Sequence, residues 1–146
     1  MHKYNMIQQL INIENGGIKL FGHTLNLHEG INQVVDKIGP KIAIQEQRVG
    51  WTEYKVTQFV YLDDQITVKL LFQTGELKII ELYHQFKALP EPKDWNDWTA
   101  EFEITKKKKI DEWLNDQVGQ KRVFAWGQII SFTDKKAGYS GIIIRK

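Results

Sequence analysis

The sequence predicts an α+β protein, a single domain over residues 1–146 in which an antiparallel sheet packs against two helices. Three observations carry this. Residues 65–72 alternate, with Ile66, Val68, Leu70 and Phe72 on one face and Thr67 and Lys69 on the other, the period of a half-buried strand. Ile31, Val34, Val35 and Ile38 follow the i, i+3, i+4, i+7 rule of a helix with one apolar stripe, and Gly39-Pro40 stops it. Ile110, Trp113, Leu114 and Val118 form a second stripe that ends at Gly119, ahead of a strand-rich C-terminus.

In chain order, residues 1–15 are expected to form one or two amphipathic turns through Met6, Ile7, Leu10 and Ile11, closed by Asn15-Gly16-Gly17. Residues 18–21 and 24–27 then flank Gly22-His23 as a short hairpin that exposes His23. The first helix is expected over 28–38, capped by Asn26 or His28, with Glu29 near the positive end of its dipole. Gly39 suits the left-handed position past its last turn. Ile42-Ala43-Ile44 reads as a short strand, and 45–53 is polar apart from Val49 and Trp51.

A three-strand meander follows over 54–83, with turns at Asp63-Asp64 and Gln73-Thr74-Gly75, where Gly75 supplies a positive φ. Leu89-Pro90-Glu91-Pro92 must be extended, because each Pro fixes its own φ and biases the residue before it. The second helix is expected over 105–118 with Thr105 as N-cap, which crowds Lys106 to Lys109 at the positive end of the dipole. Each such charge costs about 0.3–1 kcal/mol. A strand pair within 122–145 closes the chain; Phe124, Trp126, Ile130 and Phe132 share a face with Gln128 in its first strand. Ile142-Ile143-Ile144 is apolar on both faces, the mark of a central strand.

Bulk properties narrow the function. A chain of 146 residues buries about 68–70% of its unfolded surface without staples. With no cysteine, neither a disulfide framework nor a thiolate site exists. The first ten residues lack an apolar signal core with a small-residue cleavage site, and no run reaches the roughly 18 apolar residues of a membrane span. A cytoplasmic protein without membrane contact is therefore expected. A net charge of +2 does not by itself argue for nucleic acid.

The inventory is poor in chemistry. His2, His23, His28 and His84 are scattered, and the five-residue separation of His23 and His28 is not a ligand spacing. A two-histidine nuclease would need His23 or His28 to meet His84 in space, and a small hydrolase would need His84 or another histidine to meet a carboxylate in a pocket. Asp63-Asp64 and the pair Glu76 and Glu81 admit a reading as metal-binding or glycosidase carboxylates, against which adjacent acids at a β-turn are ordinary turn chemistry. The glycines match neither GxxxxGK[ST] nor GxGxxG, and Ser131 and Ser140 lack a nucleophile-elbow context. No catalytic residue, cofactor site or metal site is expected. Lys106 to Lys109, with Lys121-Arg122 and Lys135-Lys136, are cations for an alternative reading as a nucleic-acid-binding module, although aromatics are not interleaved with them.

The most unusual stretch is 94–103, where Asp94, Asp97, Glu101 and Glu103 are interleaved with Trp95, Trp98 and Phe102. Trp is enriched at interface centres, and acids complement a basic partner. The competing reading makes Trp95, Trp98 and Phe102 one apolar stripe of a short helix that closes the core. Asp94, Trp95, Asp97, Trp98, Glu101 and Glu103 are the candidate partner-binding residues.

The short hairpin, the helix ending in Ile38-Gly39-Pro40, the meander and the closing run from Trp126-Gly127-Gln128 through Gly138-Tyr139-Ser140-Gly141 to Ile144 resemble small bacterial immunity proteins. These are cytoplasmic antidotes to contact-dependent or other polymorphic toxins. Residues 28–83 also resemble the small lipoprotein and β-lactamase-inhibitor-like fold, but without a signal peptide or lipid-attachment cysteine. The resemblance implies a cognate protein toxin as partner, in some cases a nuclease, and neutralisation by occlusion without catalysis. Antidotes to basic nucleases are commonly acidic, so this chain would rely on the local acids of 94–103.

Overall fold

The structure, a computed structural model, describes residues 9–134 and 139–146. Its elements are β1 (Ile18–Leu20), β2 (His23–Leu25), α1 (Ile31–Ile38), a 3-10 turn (Gly39–Lys41), β3 (Ile42–Arg48), β4 (Trp51–Tyr61), β5 (Asp64–Gln73) and β6 (Glu76–Gln85). A second 3-10 turn (Trp95–Asp97) leads to α2 (Ala100–Val118), β7 (Val123–Phe124), β8 (Gly127–Asp134) and β9 (Tyr139–Arg145). The α+β class stands, with a sheet broader than expected. Seven antiparallel strands run in the order β3-β4-β5-β6-β9-β8-β7, and β1-β2 form a separate ribbon.

The alternating run does form β5, and its Ile66, Val68, Leu70 and Phe72 are buried. The meander has four strands instead of three, because β3 pairs with β4 along Gln45↔Tyr54 to Arg48↔Trp51. The strand expected at Ile42-Ala43-Ile44 runs on to Arg48, an extension without apolar alternation because an edge strand that covers no core needs none, and nearly all of β3 is exposed. The hairpin turns fall at Leu62-Asp63 and Thr74-Gly75, each with two positive φ values (48° and 72°, 51° and 78°), as a two-residue type I′ connection demands. Asp64 is thereby released from the turn and begins β5. In the same way Phe21-Gly22 makes the β1–β2 turn, and His23 lies exposed on β2.

Three boundaries shift for physical reasons. Residues 28–30 are stitched to β6, not helical: His28 N–H donates to Leu77 O, Leu77 N–H to Glu29 O and Ile31 N–H to Gly75 O. α1 therefore starts at Ile31 behind Gly30, whose N–H donates to Gln33 Oε1, and neither Asn26 nor His28 caps it. Val34 and Ile38 are buried, whereas Val35 sits at the exposed rim of the stripe. Gly39 is right-handed at φ −44°, so the chain runs on into the 3-10 turn through Pro40 and makes no left-handed stop.

α2 begins at Ala100, ahead of the expected 105, because Thr99 Oγ1 accepts the Phe102 N–H at 3.0 Å. Glu101 and Glu103 then occupy the first turn, where the dipole favours acids, and Lys106 to Lys109 lie further along. The expected dipole penalty on the lysines disappears. At the N-terminus, Met6 and Ile7 lie outside the described residues, and 9–15 is not helical. There Ile11 bridges Ile18, and Leu10 N–H donates to Gln117 Oε1 of α2.

One core fills the space between the sheet and the helices. Val34 and Ile38 of α1 and Ile110, Leu114 and Val118 of α2 meet the inward residues of β4, β5, β6, β8 and β9. β9 lies between β6 and β8, the central position its Ile run predicted, with Ile142 and Ile144 buried. Residues 135–138 of the β8–β9 connection lie outside the described residues.

Candidate functional site

The stretch 94–103 forms a shoulder at the start of α2. Asp94 Oδ1 accepts the Asn96 N–H at 3.1 Å and Asp94 O accepts the Asp97 N–H at 3.0 Å, which closes the 3-10 turn. Thr99 then starts the helix, so Trp95, Trp98 and Phe102 do not share one helical stripe. The Trp98 and Phe102 rings meet at 4.8 Å and 66°, and Trp98 Nε1–H donates to Glu103 Oε1 at 2.9 Å. Both rings are half-buried, yet neither joins the core cluster or the aromatics packed against it. Asp94, Asp97 and Glu101 are exposed, and so is the neighbouring Ile104, at 70%. The Trp95 side chain lies outside what the structure describes. Core closure therefore falls to Ile110, Leu114 and Val118 instead of Trp98 and Phe102.

Lys106 ties the shoulder to the extended segment before it. Its side chain is 8% exposed and its Nζ pairs with Glu91 Oε2, between the two prolines. At about 100° of rotation per residue, consecutive helical side chains leave in different directions. Lys107 bridges to Asp111 Oδ2 at 2.9 Å, Lys109 Nζ lies 5.8 Å from the centre of the Phe86 ring, and Lys108 is exposed. The four lysines do not make one cationic face.

Beneath Lys106 His84 does meet a carboxylate, that of Asp64, but in a buried position and not in an open pocket. His84 is 2% exposed, and its Nε2 stands 3.0 Å from Asp64 Oδ2. The ring stacks on Phe86 at 4.0 Å and 14°, and meets Trp113 edge-on at 4.8 Å. Asp64 Oδ1 accepts the Lys87 N–H at 2.8 Å. Burial pushes the His84 pKa down and outweighs the opposing hydrogen bond and charge of Asp64; the charge of Lys106 lowers it further. The imidazole is thus neutral at pH 7, and because a carboxylate only accepts, the proton sits on Nε2. Phe86 and Trp113 cover the ring, and through Trp113 the pair packs against α2. A signal for His84 was present: it falls two residues beyond Leu82 and four beyond Ile80, on the inward face of β6. Asp64 could not be found this way, because its role follows from the turn one residue earlier.

A cleft of about 420 Å³ opens beside this cluster, lined by Asp63, Gln65, Gln85, Phe86, Lys87, Pro90 and Glu91. Among the described residues no group of three or more His, Asp or Glu side chains is placed to hold a metal, and no helix is long and apolar enough to cross a membrane. The architecture is a broad antiparallel sheet with helices on one face and an acidic–aromatic shoulder at its edge. Comparison with protein-family models, with characterised proteins and with solved structures finds no match to this chain.

Proposed function

We propose that this chain is a binding protein of the toxin-neutralising kind, which occludes a cognate protein toxin with the shoulder at residues 94–103. The observation that carries the reading is the Trp98–Phe102 pair, which stands outside the core with Asp94, Asp97 and Glu101 exposed around it. A ring pair held by its own hydrogen bond to Glu103 loses little side-chain entropy on docking. Desolvation of Trp98 and Phe102 would supply affinity, while the acids would set on-rate and orientation toward a basic surface. The Lys106–Glu91 pair holds the shoulder in place beforehand. No catalysis is assigned, and the covered His84 supports that choice. A cytoplasmic site of action belongs to the same reading.

The test is co-expression with the product of the adjacent upstream gene. A complex that survives gel filtration, and is lost in the double variant Asp97→Lys/Glu101→Lys, is the expected result. No complex with the wild-type chain, or a complex indifferent to that variant, would remove the basis of the reading.

A further inference from the structure

The sheet has a second face, away from α2. In register across it, Lys55 stands directly opposite Lys69, Lys69 opposite Glu81, and Glu81 opposite Ile143. Like charges directly opposite on neighbouring strands destabilise a sheet. Glu81 opposite Lys69, and Glu53 two residues along β4 from Lys55, share this face, yet neither lysine has a carboxylate within ion-pair distance among the described residues. Glu81, the natural neighbour, is engaged elsewhere, accepting the Tyr83 O–H at 2.5 Å. Lys69 Nζ instead lies 5.2 Å from the centre of the Tyr83 ring.

Tyr83, Phe132 and Tyr139 meet edge-to-face in all three pairings, at 5.5–6.1 Å. Lys55, Thr67, Lys69, Tyr83 and Tyr139 line a depression of about 260 Å³ in this face. Around it Leu71, Ile79, Ile130 and Ile143 are half-buried and lie outside the core cluster. Two ammonium groups without a direct ion pair, beside an aromatic wall and next to half-buried Leu71, Ile79 and Ile143, are complementary to one carboxylate carried among apolar side chains.

We infer that this depression is a docking site for a protein segment that presents a single acidic side chain or a chain-terminal carboxylate, flanked by apolar residues. The carboxylate sits between Lys55 and Lys69, and its apolar neighbours cover Leu71, Ile79 and Ile143. Charge selects this occupant over a nucleic acid. Glu53 and Glu81 lie close enough to Tyr83 to act on its hydroxyl, and Asp134 does the same at Tyr139, so a phosphate backbone would meet acids as often as lysines. The site does not depend on the shoulder, which is built from the start of α2.

The experiment is a titration of the full ¹⁵N-labelled chain with three probes. They are acetylated octapeptides carrying one Glu, Asp or free carboxylate among Leu, Ile and Phe; the same peptides with Gln, Asn or amide; and oligothymidylate. The expected result is binding of the acidic peptides alone, with shifts at Lys55, Lys69, Tyr83 and Tyr139. Lys55→Glu should weaken it by roughly tenfold or more. The same substitution should raise Tm, because it turns a repelling cross-strand pair into an attracting one. Lys55→Gln/Lys69→Gln, which removes charge without reversing it, should also weaken binding. No binding by any probe, equal binding of the neutral peptides, preference for oligothymidylate, or acidic-peptide binding that Lys55→Glu leaves intact would each overturn the inference. None of these outcomes bears on the upstream-gene test of the shoulder.

Discussion

His84 Nε2 lies 3.0 Å from Asp64 Oδ2 at the junction of sheet and α2, and it is the neutral imidazole that fits there. The groups that face it are Asp64 and Lys106, with Glu91 paired to the lysine. Burial lowers the His84 pKa from 6.5, so as pH falls the unfolded chain takes up this proton before the folded one. The stabilisation is complete above 6.5 and is lost as pH drops through the folded pKa. The urea midpoint should therefore decline between about pH 7 and pH 5. His84→Phe keeps a ring against Phe86 and Trp113 and should flatten that decline. An unchanged slope would mean that another group is responsible.

Asp111 titrates in a separate and lower window. Burial raises its pKa, but the hydrogen bonds from Ser131 and Lys107 and the charges of Lys107 and Arg122 outweigh this and bring it below 3.8. Its stabilisation is present above 3.8 and is lost as pH falls through the folded value. Ser131→Ala should shrink the acid-induced loss in that range while leaving the His84 step alone.

Breaking the Lys106–Glu91 pair from either side should give different answers. Glu91→Ala strands an ammonium that is 8% exposed, with an expected loss of about 1–3 kcal/mol. Lys106→Met removes the charge and keeps an apolar stem of similar length, so its loss in urea melts should be the smaller of the two. Equal losses would show that the lysine is no more desolvated than its partner.

The shoulder and the core should respond differently to truncation. Trp98→Ala removes a ring that packs on Phe102 outside the core, and should cost about 1 kcal/mol or less. Leu114→Ala leaves a cavity in the interior, and should cost about 2–5 kcal/mol. Comparable losses in thermal melts would place Trp98 among the core residues.

Gly16 is a position only glycine fills well. Its φ is +76°, and an added Cβ would lie 2.6 Å from Trp126 Cζ3, while Trp126 Nε1–H donates to Ile13 O at 2.7 Å. Gly16→Ala should cost about 1–3 kcal/mol and shift the Trp126 fluorescence. A silent substitution would show that the indole can move aside.

Much of this fold was legible because local period reports which way a side chain points. The alternation over 65–72 sets the faces of β5, and the unbroken Ile142-Ile143-Ile144 run puts β9 inside the sheet. β3 was illegible beyond Ile42–Ile44, since an exposed edge strand leaves no hydrophobic trace. The start of α1 was misjudged because residues 28–30 spend their backbone groups on β6, a contact about fifty residues away in sequence that no local pattern encodes.

The sequence by itself determined the class, the two helical stripes, the inward face of β5 and the composition of the 94–103 stretch. The closing strands departed from it: the run expected as one strand splits into β7 and β8, and Ile129 turns inward, with Ile130 and Phe132 on the opposite face from Phe124 and Trp126. Tertiary structure decided what those residues meet. Insertion of β9 beside β6 gathers Tyr83, Phe132 and Tyr139 on one face, register sets Lys55 against Lys69, and Glu91 buries one lysine of four consecutive ones. The division is physical. Burial of a face follows from the short-range periodicity of the backbone, whereas a charge's partner depends on chain closure over tens of residues, which any one local pattern leaves open.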